Sequence, residues 1–124
     1  MLSSKAHTII GLVIGFTLLI LPWALGFSGN VAATLATWLV GIVTIISELT
    51  STSAISPLKL VSMRTHVVID CLLGALLSIT PWLFGFATAG MHVWLPHIVM
   101  GILIVGYAAL TNPERDSYDV HAVV

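Results

Sequence analysis

Apolar residues run almost unbroken through four stretches of this chain, and the polar residues gather between them. The stretches cover about residues 6–22, 31–49, 60–80 and 92–110. No Asp, Glu, Lys or Arg occurs from Ala6 to Ser47, nor from Cys71 to Pro113. A helical bilayer span needs ~20 predominantly apolar residues, so each charge-free window has room for two. Thr50–Ser56 (TSTSAIS) and Pro57 form a polar break with turn chemistry. Beyond Asn112 the chain is polar and acidic, and Pro113 ends the last helix. The pattern predicts an all-α integral membrane protein, a bundle of four spans.

The four stretches form two copies of one unit. A shift of 59 residues aligns His7 with His66, Gly15 with Gly74, Pro22 with Pro81 and Trp23 with Trp82. It also aligns Gly26 with Gly85 and Phe27 with Phe86. In the second helix of each half the shift grows by one residue and pairs Gly41 with Gly101. The organisation is therefore a two-helix repeat over residues 1–56, a second over 57–111, and a polar tail over 112–124. Two spans per repeat give both halves the same orientation, so their pseudo-symmetry axis runs along the membrane normal. This differs from the inverted repeats of many transporters.

Composition changes the picture only by confirming the solvent. The chain is 58% hydrophobic and 7% charged, where soluble domains carry about 25% charged residues. Its four basic residues are Lys5, Lys59, Arg64 and Arg115. With four spans, all fall on one side of the membrane, which the positive-inside rule makes the cytoplasm. Both termini and the central loop are expected there, in a cytoplasmic (inner) membrane. The first span is expected to be retained, since its counterpart lies mid-chain. One cysteine, Cys71, excludes an internal disulfide or dithiol pair. A net charge of −1 with no basic stripe gives no support to nucleic-acid binding.

The repeated Pro-Trp-x-x-Gly-Phe segment has a physical reading. Proline in a helix interior loses a hydrogen bond and costs ~3 kcal/mol, so Pro22 and Pro81 should kink or end their helices. Trp23 and Trp82 suit the headgroup layer. Gly26 and Gly85 free the reversing backbone, and Phe27 and Phe86 can fold back as apolar plugs. Gly11, Gly15, Gly41, Gly74 and Gly101 offer small surfaces for close helix approach in lipid.

These paired Pro-Trp-x-x-Gly-Phe helices resemble the SPW-repeat family of small prokaryotic membrane proteins, named for a Ser-Pro-Trp motif in each two-helix unit. Here Leu21 and Thr80 stand at the serine position while Pro-Trp is kept twice. The resemblance runs from about His7 to Leu110 and implies four spans in a prokaryotic cytoplasmic membrane. It implies no catalytic activity.

Few residues could carry chemistry. Asp70 is the sharpest, because an ionisable group within a span is costly and by default suggests function. It replaces Gly11 of the first repeat, and His66, one turn earlier on the same face, can pair with it. Glu48 closes the second helix and is expected to reach water. His92 and His97 are expected at the outer interface. His7 and His66 occupy equivalent positions and could ligate a haem, yet each helix offers only one such residue, with no third ligand near. No metal site, cofactor, phosphate loop or nucleophile–base pair is expected.

The expected function is that of a small structural or accessory membrane protein with no catalytic chemistry. Its partners would be the lipid bilayer, further copies of itself, or the subunits of a larger membrane complex. The alternatives are a small proton, ion or solute channel using Asp70, and a haem-binding module using His7 and His66.

Overall fold

The computed structural model describes residues 1–114; most of the polar tail, with Arg115, lies outside them. It has helices α1 Ser4–Ala24, α2 Val31–Thr50, α3 Met63–Leu83 and α4 Met91–Ala109. All four are long and apolar enough to cross a membrane. Three begin on side-chain caps. Ser3 accepts from the Ala6 amide, Asn30 from Ala33 and Ser62 from Thr65. Each cap satisfies a backbone donor that the first helical turn would otherwise leave open.

The repeat unit is a helical hairpin, and its turn is built by the Pro-Trp-x-x-Gly-Phe segment. Helices α1 and α3 run two residues beyond Pro22 and Pro81, to Ala24 and Leu83. The missing proline N–H falls in the last turns, and the proline carbonyls are put to use. The Pro22 carbonyl accepts from Phe27 N and the Pro81 carbonyl from Ala87 N, both at 2.8 Å. Gly26 and Gly85 sit at φ of 75° and 76°, the left-handed region that side chains disfavour. Trp23 and Trp82 face outward, 58% and 64% exposed. Phe27 and Phe86 turn inward and are buried. The turn is packed, as its chemistry requires.

Glycines bring the two helices of each hairpin together. A Cβ on Gly41 would lie 2.9 Å from the Gly15 carbonyl oxygen, and one on Gly101 would lie 2.5 Å from that of Gly74. These are equivalent contacts in the two repeats. In lipid, association rests on such close packing, because apolar side chains gain little by leaving the acyl chains. Gly11 acts differently, leaving room for the Glu48 side chain.

Helices α1 and α2 pack mainly on each other, as do α3 and α4, and the hairpins join chiefly through α2 and α3. Ile14, Leu18, Val40, Leu77, Ile104 and Tyr107 form the central apolar cluster. At the turn end, Phe27 and Phe86 close a second cluster with Ala33, Ala36 and Val93. The opposite end is tied by backbone. Leu2 N donates to Leu110 O and Asn112 N to Leu2 O, both at 2.8 Å. Ser51 and Val61 bridge across the central linker.

Candidate functional site

Four ionisable side chains of the spans meet at the end that holds the termini. His7 lies in the first turn of α1, Glu48 in the last turn of α2, and His66 and Asp70 in the first turns of α3. An antiparallel hairpin puts the start of one helix beside the end of the next, so the four share one level. All four are fully buried, and one potential ligand atom from each falls within 4.8 Å of every other.

Each hairpin supplies one imidazole and one carboxylate, but from non-equivalent places. The first repeat has Gly11 on its leading helix and Glu48 on its returning helix. The second has Asp70 at the position matching Gly11, and buried Ala108 at the position matching Glu48. The acid has changed helices and still arrives at the same centre. This accounts for the break in internal symmetry at Asp70.

The contacts are short. His7 Nε2 lies 2.8 Å from Asp70 Oδ2 and 3.0 Å from His66 Nε2. Glu48 Oε2 is 3.1 Å from His66 Nε2, and Glu48 Oε1 is 3.5 Å from His7 Nε2. The expected His66–Asp70 pair is present at 3.4 Å, yet His7 is the nearer partner of Asp70. Tyr107 donates its hydroxyl to Asp70 Oδ2 at 3.0 Å. The other oxygen of that carboxylate, Oδ1, is buried and has no hydrogen-bond partner among the described residues.

Around these groups lies a ring of hydroxyls. Thr111 donates to the Tyr107 carbonyl at 2.6 Å, so toward His7 Nδ1, 2.7 Å away, it accepts. His7 therefore carries a proton on Nδ1, and a neutral ring turns the lone pair of Nε2 toward the centre. His66 Nδ1 lies 2.7 Å from Ser47 Oγ. Two imidazole nitrogens and two carboxylates thus converge, with the Tyr107 hydroxyl as the surrounding donor. Positive charge, as protons or as a cation, is what such a centre requires.

Several expectations need correction here. Glu48 does not reach water; it is fully buried. The histidines have two carboxylate companions: Asp70, one turn from His66, and Glu48, which comes from another helix. The haem expectation does not fit this geometry. The facing nitrogens are 3.0 Å apart with their rings edge to face, and no macrocycle can pass between them. His97 is also buried, not interfacial. Its Nε2 meets the Ala33 carbonyl of the other hairpin at 2.9 Å, and both Phe27 and Phe86 pack on its ring. His92 is exposed, far along the chain from the cluster and on the turn side of α4.

The fold thus defines a four-helix membrane-spanning protein made of two like hairpins that meet around a closed polar centre. The chain belongs to the SPW repeat domain family, whose model matches residues 5–111. No curated protein and no solved structure matches it.

Proposed function

We propose that this chain is a small structural membrane protein that associates with itself or joins a larger membrane complex and performs no catalytic chemistry. The observation that carries the reading is the inward pairing of His7, Glu48, His66 and Asp70, with Lys5 and Arg64 exposed only at helix ends, which leaves the middle of the lipid-facing surface apolar. Exposed Val13, Phe16, Leu39, Val68, Leu72 and Ile102 suit acyl chains or another helix, not an aqueous solute. Asp70, which a channel would set along a path, is instead enclosed by His7, His66 and Tyr107. In this reading the protein resides in a prokaryotic cytoplasmic membrane, with both termini and the central linker on the cytoplasmic side. Lys5, Lys59, Arg64 and Arg115 support that orientation through the positive-inside bias. The polar centre then lies near the cytoplasmic face.

The test is the native mass of the protein, extracted gently from its own membranes, with co-purifying chains identified. A defined homo-oligomer or hetero-complex supports the proposal. A lone monomer in native lipid, together with solute flux in vesicles that Asp70→Asn abolishes, would replace it with the channel reading.

A further inference from the structure

We infer that His7, Glu48, His66 and Asp70 form a binding site for a divalent first-row transition-metal ion, with two imidazole and two carboxylate ligands. Three independent features of the cluster carry this.

The first is spacing. Four donors at the usual 2.0–2.2 Å from a tetrahedral ion lie roughly 3.3–3.6 Å from one another. The facing atoms here are 2.8, 3.0, 3.1, 3.4 and 3.5 Å apart. One ligand atom from each of the four residues lies within 4.8 Å of every other, so side-chain adjustments of about an ångström would bring all four to tetrahedral spacing. The donors come from three helices and converge on one point, unlike a run of acids on a single face.

The second is the orientation of the rings. Metal-bound histidine almost always hands its other ring nitrogen to a fixed partner, which sets the tautomer and aims the ligating lone pair. Thr111 does this for His7, at Nδ1, and Ser47 stands in the same place for His66. Tyr107 orients the Asp70 carboxylate, and Asp70 Oδ1 is buried without a partner among the described residues. These are the outer contacts a bound ion needs, already in position.

The third is charge. Two carboxylates balance a dication while both imidazoles stay neutral, so the loaded centre has no net charge where water is excluded. Imidazole and carboxylate together favour zinc, iron, manganese, cobalt or nickel over calcium, which prefers six to eight oxygens. All four ligands come from the protein, the pattern of a structural and not a catalytic ion. The ion would join one hairpin to the other. The inference does not depend on whether the chain joins a larger complex.

The test uses the full chain carrying a tag free of histidine, expressed in cobalt-supplemented medium so that ions can enter before the bundle closes. First-row metals are quantified by mass spectrometry on the folded, monodisperse protein. The expected result is stoichiometric metal and the visible absorption of four-coordinate Co²⁺ without thiolate bands. Thr111→Val keeps the shape of the side chain but not the hydroxyl, and should weaken retention against a chelator about 10–100-fold. His92→Ala should change nothing. The inference is overturned if folded wild type holds no more metal than the His7→Ala/His66→Ala variant, or if His92→Ala removes the metal. It is also overturned if the Co²⁺ spectrum is that of a hexa-aqua ion.

Discussion

Glu48 fills the space that any side chain at position 11 would need: a Cβ built on Gly11 would coincide with the Glu48 carboxylate. The glycine therefore admits an acid into the bundle, which is a different task from bringing two backbones together. Gly11→Ala should push Glu48 away from His66 and His7 and destabilise the protein by about 1–3 kcal/mol, the usual cost of overpacking. Thermal unfolding in detergent would reveal it. An unchanged midpoint would mean that Glu48 has another resting place.

Neutralising one acid should be costly. Removing one partner from a buried charged group typically costs ~3–5 kcal/mol, because the remaining charge is left uncompensated. Glu48→Gln and Asp70→Asn should each lower the unfolding midpoint strongly. Their double variant should lose clearly less than the sum, since both act on the same two imidazoles. Strict additivity in a double-mutant cycle would show that the four groups do not act as a unit.

At the hairpin crossings the effect should be steric. Gly101→Val places side-chain atoms against the Gly74 carbonyl and Ser78. It should separate α3 from α4 and destabilise by several kcal/mol. Gly29→Ala, where a Cβ meets nothing within 4 Å, is the control and should stay near the wild-type midpoint.

Gly85→Ala isolates backbone strain from packing, because a Cβ there also meets nothing within 4 Å while φ is 76°. The expected loss is about 1–2 kcal/mol, the cost of the left-handed region for a residue with a side chain. Gly26→Ala should lose the same amount. A marked difference between the two would mean that the turns are less alike than their backbones.

His97→Leu should loosen the turn end by removing the bridge to Ala33 O. Its effect should add to that of Asp70→Asn, because the two sites share no partner and occupy opposite ends of the bundle.

The spans, the repeat, the packed turn and the glycine crossings were all legible in the chain, because each is a local pattern. Pro22 and Trp23 recur as Pro81 and Trp82, and the periodicity of four apolar stretches leaves little choice of fold. The polar centre was only half legible. Asp70 stood out as an acid inside a span, and the equivalence of His7 and His66 hinted at a shared level. Glu48 was misread, since an acid at the end of a hydrophobic helix looks solvated when that helix is considered alone. What turned it inward is the missing side chain at Gly11, 37 positions earlier and on another helix. The signal lay in the repeat itself: where one half has glycine opposite an acid, the other has an acid opposite alanine. His97 failed for a similar reason, because the phenylalanines that cover it come from both turns.

The exchange of glycine and acid between the hairpins also bears on assembly. Because each hairpin carries one complete half of the centre, the centre is indifferent to whether its halves belong to one polypeptide. Two chains that traded second hairpins would rebuild both centres with every contact intact. The Ser51–Ser62 linker would then decide between monomer and intertwined dimer. Shortening that linker should favour exchange, with the polar centre as the common lock of both forms.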